Sequence, residues 1–314
     1  MSIFKKTMVV TLIVASVSIG IGAYIIYERG YSIDNFSKDI SQLLDGEDIN
    51  IDLGPLEPLS FRENYFIGDK TNIILQTSLG EIDVSSYDGE ELMLSIEGQV
   101  AKKYLKDYID VKESNDQITF KLFDHSRTRT FITREAADLE ITLKIPKSYG
   151  ENLKLSNISD DISVTNINLS NLKIETISGE VDIYEGEIDE LDLATVSGDI
   201  EVQSQVGFIN GESVSGDLSL GNIQGFKIDS VSGDLDISLD HQPKASQGES
   251  ISGHITLNIL GQDEITYDFE TISGNITIER LGSELNVGNR AKNKGLNTNV
   301  VKTSTISGDI TLKN

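Results

Sequence analysis

The chain is 314 residues long and carries 51 Asp and Glu against 26 Lys and Arg, a formal net charge of −25. That balance excludes binding nucleic acid, teichoic acid or anionic lipid by charge, and admits divalent cations and cationic partners. With no cysteine and no Trp, stability cannot rest on disulfides and a carbohydrate site cannot rest on Trp stacking, while 38% hydrophobic residues suffice for a sizeable core.

Residues 1–6 read as a cytoplasmic tail and 7–27 as a transmembrane anchor. Met8 to Tyr27 is an uncharged run long enough to cross a bilayer as a helix. Lys5 and Lys6 precede it, which places the rest of the chain outside the cytoplasm. A cleaved signal peptide would have a shorter apolar core and a small-x-small site. Here Ala23 is followed by Tyr24, Ile25, Ile26 and Tyr27. Residues 28–60 read as a stalk. Ile33, Phe36, Ile40 and Leu43 recur at helical spacing between Ser32, a candidate N-cap, and Gly46. The segment is short for a dimer seam. Pro55 and Pro58 are expected to break the chain before the globular part.

Residues 61–149 read as an N-terminal β region, cap and first coils. Ile73, Leu75, Ile82 and Val84 alternate around Gly80; Leu92, Leu94 and Ile96 alternate, as do Ile118, Phe120 and Leu122. Leu139, Ile141, Leu143 and Ile145 form the cleanest strand, stopped by Pro146. Arg127, Arg129 and Arg134 fall in a polar stretch between two strands, read as a solvated loop, with contact to an anionic partner as the alternative.

Residues 150–314 repeat one word, Ile-Ser-Gly or Val-Ser-Gly, preceded by Thr or Ser. Its glycines are Gly179, Gly198, Gly216, Gly233, Gly253, Gly274 and Gly308. Around Gly198, apolar residues stand at −7 (Leu191), −5 (Leu193), −2 (Val196), +2 (Ile200) and +4 (Val202). Asp160 keeps the same frame without a glycine. The pairs −7/−5 and +2/+4 have period two, so each unit holds two short strands joined at a Ser-Gly turn. One unit cannot bury its apolar row alone, whereas stacked units can. The fold expected is all-β, a β-solenoid of stacked β-repeats, with a sandwich as the alternative. The −2, +2 and +4 residues are expected to be buried together, Val231 among them. Residues 281–300 read as an insertion placed to cover the far end.

Three polar columns follow from the stacking. The first is Ser178, Ser197, Ser215, Ser232, Ser252, Ser273 and Ser307; the second is Thr176, Thr195, Ser213, Ser230, Ser250, Thr271 and Thr305. Both read as turn and cross-strand hydrogen-bonders, with a glycan-gripping face as the alternative. The third is Glu180, Asp199, Asp217, Asp234, His254, Asn275 and Asp309. Four consecutive acids make Glu180, Asp199, Asp217 and Asp234 candidate Ca²⁺ ligands, but no calcium-binding repeat motif accompanies them, and turn capping is the better account. No nucleophile elbow, P-loop or dinucleotide fingerprint occurs, and His125, His241 and His254 lack metal-ligand spacing. No cofactor, no catalytic residue and no enzymatic activity are expected.

The Leu139–Pro146 strand ending Leu-Lys-Ile-Pro-Lys resembles a known family. So do the train of Val-Ser-Gly-Asp units and the closing Thr305-Ile306-Ser307-Gly308-Asp309-Ile310. The family is the bacterial "putative adhesin" domain of unknown function, including the membrane-anchored LiaG-like proteins of Gram-positive envelope-stress operons. The likeness covers about residues 65 to 314 and implies a β-repeat fold at the cell envelope, without catalytic residues. The reading is a single-pass cell-membrane protein whose extracytoplasmic β-repeat domain acts as scaffold or interaction module, held by the membrane through its N-terminal helix. A protein or other envelope component is the expected partner. The alternatives are a glycan-active enzyme on a β-helix, marked by a pair of acids beside an Arg in one groove, and a self-assembling filament, marked by an uncapped terminal strand.

Overall fold

The computed structural model describes residues 55–105, 108–123, 137–260, 265–280, 283–294 and 299–313. The anchor, nearly all of the stalk, His125, Arg127, Arg129 and Arg134 lie outside the described residues. Among those described, no helix is long and apolar enough to cross a membrane. The only helical element described is one 3₁₀ turn, Lys102–Tyr104, and the rest of the regular structure is strand.

Each repeat is one coil of a stack. Its first side is the strand leading into the glycine, its second the strand leaving it. Thus Gln205–Ser215 is followed by Leu218–Ile223, and Phe226–Ser232 by Leu235–Leu239. A second corner falls six residues after the glycine position, where Asn166, Glu185 and Asn222 adopt φ of 54–58°. A short third side leads into the next coil. Successive coils pair in parallel and in frame, with Thr195 opposite both Thr176 and Ser213, and Ile200 opposite Leu218. The alternating residues Leu191, Leu193, Ile200 and Val202 point inward and are buried with their counterparts in one continuous core. Where a coil lacks a large upstream residue, a neighbouring coil fills the space. Gly248 faces Phe226 and Thr303, and a Cβ there would stand 3.1 Å from the Phe226 ring.

The −2 column departs from expectation. Ile158, Ile177, Val196, Val214, Val231, Ile251 and Ile306 are only half-buried, and Ile272 is 47% exposed. The inward positions run −7, −5, −3, so the −3 hydroxyl residue is the buried one and −2 points outward. The turn then resets the alternation, and +2 and +4 again point in.

The coils do not stack in sequence order. Strands Val300–Ser307 and Ile310–Lys313 lie between the coil of Ser246–Ser252 and Ile255–Ile259 and the coil of Thr266–Ser273 and Ile276–Arg280. The last repeat is therefore an interior layer. The end beyond it is covered by the antiparallel strands Ser283–Asn286 and Arg290–Asn293, which fall within the expected 281–300 insertion. The other end is built the same way. Asn72–Thr77 sits between Gln117–Leu122 and Asn152–Ser156, and Glu81–Tyr87 between Ala137–Pro146 and the start of Ile162–Ser178. Antiparallel strands Leu56–Phe66, Glu91–Ala101 and Ile109–Glu113 finish that end. Leu56–Phe66 runs through Pro58, so the β domain begins earlier than residue 61. A proline is tolerated there because the strand is an edge with one neighbour.

At the turn, layers approach through backbone alone. Six of the seven turn glycines have φ between 118° and 153°, a region other residues rarely adopt; Gly274 is the exception. A Cβ at Gly198, Gly216, Gly233, Gly253, Gly308 or Gly274 would collide with the carbonyl oxygen of the glycine one layer away. Gly233→Ala is expected to cost about 3 kcal/mol or more, from backbone strain and loss of interlayer contact. Gly150, where an added Cβ meets nothing within 4 Å, is the control, and Gly150→Ala is expected to leave the melting temperature unchanged. Equal melting of the two variants would contradict the close-approach account.

Candidate functional site

The acidic column is an interlayer ladder. Asp199 Oδ1 accepts the backbone N–H of Asp217 at 2.8 Å, Asp217 Oδ1 that of Asp234 at 2.7 Å, and Asp234 Oδ1 that of His254 at 2.7 Å. His254 Nδ1 accepts the N–H of Asp309 at 3.1 Å, and Asp309 Oδ1 that of Asn275 at 2.8 Å. Asp161 serves Glu180 in the same way at 2.8 Å, and Asp160, in the layer without a glycine, accepts the N–H of Gly80 at 2.8 Å. The small acid at +1 thus caps an amide in the adjoining layer. Glu180 is exposed and, unlike the aspartates, takes no comparable place. Among the described residues no group of three or more His, Asp or Glu is placed to hold a metal ion.

The two hydroxyl columns part company. Ser197, Ser215, Ser232, Ser252, Ser273 and Ser307 are exposed, and Ser178 is half-buried. Thr176, Thr195, Ser213, Ser230, Ser250, Thr271 and Thr305 are buried and cannot touch a glycan. Some of these hydroxyls bond backbone carbonyls, as Thr271 does to Gly308 at 2.9 Å. Those of Thr195, Ser213 and Ser250 have no partner among the described residues. His241 Nδ1 lies 2.5 Å from Asp240 Oδ1 on the surface.

Among the described residues, two surfaces stand out as places to meet a ligand. One is a cleft of about 510 Å³ on the third side of the stack, lined by Glu187, Asp189, Glu190, Phe208, Asp240, Lys244 and Leu260 among others. It lies where the spacing of turn glycines is shortest, between Gly216 and Gly233, so the third side is recessed there. Lys244 donates from Nζ to the Gly207 carbonyl at 3.0 Å across its floor. The other surface is the outward −2 column of Ile and Val.

Beside that column, at −4, runs an outward row containing Glu175, Ala194, Glu212, Asp229 and Glu249, aligned by the strand register. Glu175 is buried, which raises its pKa, yet Lys173 at 2.9 Å and Lys154 at 3.0 Å hold it below the usual carboxylate range. Among the described residues, Glu212 and Asp229 have no lysine at ion-pair distance. Burial pushes both upward, and repulsion from the next acid in the row adds to it: Asp229 acts on Glu212, and Glu249 on Asp229. Lys227 acts on both, and Lys173 on Glu212, to lower their pKa, but these are the smaller effects. The outward direction of the −2 column, and the acidic row beside it, were not seen in the sequence. The signal was present as Ile or Val next to Ser-Gly with an acid two residues earlier, but the wrong face was assigned to it.

A family model described as Toastrack DUF4097 matches residues 71–313. Among solved structures, a "putative adhesin" from Bacteroides fragilis is 14% identical. The match covers 81% of this chain and 97% of that one, with a TM-score of 0.51. A "putative cell adhesion protein" from Clostridium sporogenes is 13% identical over 82% and 99%, with a TM-score of 0.35. A "putative lipid binding protein" from Parabacteroides distasonis is 14% identical over 82% and 97%, with a TM-score of 0.41. At these identities the likeness concerns the fold. No curated protein matches the chain in sequence.

Two predictions follow from the ladders. Asp217→Ala leaves the Asp234 amide without its acceptor and is expected to cost about 1–2 kcal/mol, whereas Asp217→Asn keeps an acceptor oxygen and most of the stability. Millimolar Ca²⁺ is expected to leave the melting temperature unchanged. A Ca²⁺-specific rise lost in Asp217→Asn with Asp234→Asn would make the column a metal site instead. Separately, Thr195→Val removes an unpaired buried hydroxyl at nearly constant volume and is expected to stabilise by about 1 kcal/mol. A lower denaturation midpoint would show that the hydroxyl has a partner.

Proposed function

The chain belongs to the Toastrack DUF4097 family, and from that premise we propose that it is a membrane-anchored, extracytoplasmic interaction module at the cell envelope, a scaffold rather than an enzyme. The observation that carries this reading is the outward, half-buried −2 column, a row of Ile and Val that runs along an acidic stack. Lys5, Lys6 and the uncharged run Met8 to Tyr27 support the anchor and its orientation. A link to envelope stress rests on the likeness to LiaG-like proteins. The name adhesin, given to the Bacteroides fragilis structure, accords with a surface role. The glycan-active alternative called for paired acids beside an Arg. The third-side cleft offers acids and Lys244, and no Arg lines it.

The test uses cells stripped of their wall. Added protease is expected to remove the region from 28 to 314, and full protection would refute the topology. A photo-crosslinking residue at Val214 is expected to capture a discrete partner, while one at Ser219, exposed on the other long side, is expected to capture none. Equal capture from both positions, or from neither, would remove the −2 face as the binding surface.

A further inference from the structure

The −2 stripe is bordered on both sides by acid. On one side are Glu212, Asp229 and Glu249 at −4; on the other are the exposed turn acids Asp199, Asp217 and Asp234 at +1. Glu212 and Asp229 are half-buried, and neither forms an ion pair or side-chain hydrogen bond among the described residues. Lys227, in the adjoining −6 column, is exposed and forms no ion pair with them at bonding distance, though its charge acts on both Glu212 and Asp229. A partner that brought cations to this row would relieve repulsion that Lys227 and Lys173 offset only in part.

The spacing selects the shape of that partner. Layers repeat at roughly 4.8 Å along the stack. A helix laid along the axis repeats its face every 5.4 Å or so, and over four layers the mismatch accumulates to only about 2 Å. An extended segment in the same direction repeats at roughly 6.7 Å and loses register at once. Columns −2 and −4 stand roughly 7 Å apart along the strand, within reach of adjacent stripes on one helix.

We propose that the stripe centred on Val196, Val214, Val231 and Ile251, with its border of Glu212, Asp229 and Glu249, docks a cationic amphipathic α-helix of about three to four turns from a protein partner. This rests on the interaction-module reading and names the partner class. A second copy of the chain does not fit, because two such faces would set acidic rows against each other. An anionic lipid surface is repelled by the same charge.

The experiment uses the full chain in nanodiscs of zwitterionic lipid, with empty nanodiscs as blank. The probe is a fluorescein-labelled Leu/Lys amphipathic helix of about 15 residues, compared with a scrambled peptide of the same composition and a Leu/Glu counterpart. Fluorescence anisotropy is expected to show saturable binding of the Leu/Lys helix alone, weakening as salt is raised. Glu212→Gln with Asp229→Asn and Glu249→Gln is expected to weaken binding about tenfold and flatten the salt dependence. Val214→Thr with Val231→Thr, nearly isosteric and retaining β-branched side chains, is expected to weaken it by a similar factor while the salt dependence stays. Equal binding of the scrambled or Leu/Glu peptide would overturn the proposal, as would unchanged affinity in both variants. So would self-association abolished by the two Val→Thr changes. If no helix binds while Val214 still captures a partner in cells, the interaction module stands and the helical partner falls.

Discussion

The stack depends on how closely two turns can approach. At each Ser-Gly corner the carbonyl oxygen of one layer occupies the space where a side chain would begin in the next. Only glycine permits that contact, and once it is made the two coils are locked in frame. Every column then follows from the lock. The +1 aspartate lies one layer from an amide it can cap, the −3 hydroxyls line up inside, and the −2 aliphatics line up outside. A word of three or four residues can therefore specify a whole domain, because its content is a relation between layers.

In-frame stacking also gathers like with like, which suits apolar columns and burdens charged ones. The +1 aspartates tolerate it because they lie at the surface and each shares its charge with a backbone N–H. Glu175 tolerates it because two lysines flank it. Glu212 and Asp229 have neither arrangement, and burial, with repulsion from the next acid in the row, moves their carboxyls upward against the weaker pull of Lys227. Replacing either with a neutral polar residue would relieve the strain without disturbing the core. An acidic row beside an outward, half-buried apolar one is the kind of local conflict that binding surfaces carry.

The β-repeat class, the glycine turns and the inward −7/−5 and +2/+4 pairs were legible because period two and a fixed turn residue are local signals. The −2 residue was misread because hydrophobicity was taken for burial. Val231 stands an odd number of positions from Ile228, so a continuous strand must place it on the opposite face. Its β-branched shape answers to the ladder of its neighbours rather than to the core. The buried Thr195 shows the converse, a polar type inside because the alternation demands it. The ladder of +1 aspartates could be anticipated only as turn capping, since its acceptors serve other coils. Pro58 read as a breaker, and the edge position that makes it harmless is a tertiary fact.

Layer order was beyond the sequence for a different reason. Gly274 and Gly308 carry the same word, so nothing local says which of the two coils lies outermost. The chain leaves a gap after Ile255–Ile259, builds the outer coil, turns back through two antiparallel strands and fills the gap last. The opposite end interleaves Asn72–Thr77 in the same manner. A parallel stack finished in sequence order would present a bare strand edge that another coil could extend. Interleaving lets the chain finish with antiparallel strands, four-residue ones at the C-terminal end and a proline-bearing one at the other. Such edges resist further addition, which argues against a filament built end to end. With both ends closed among the described residues, the long sides of the stack are left as the place to meet a partner, and of these the −2 face combines a half-buried apolar row with acids whose charge is only partly offset.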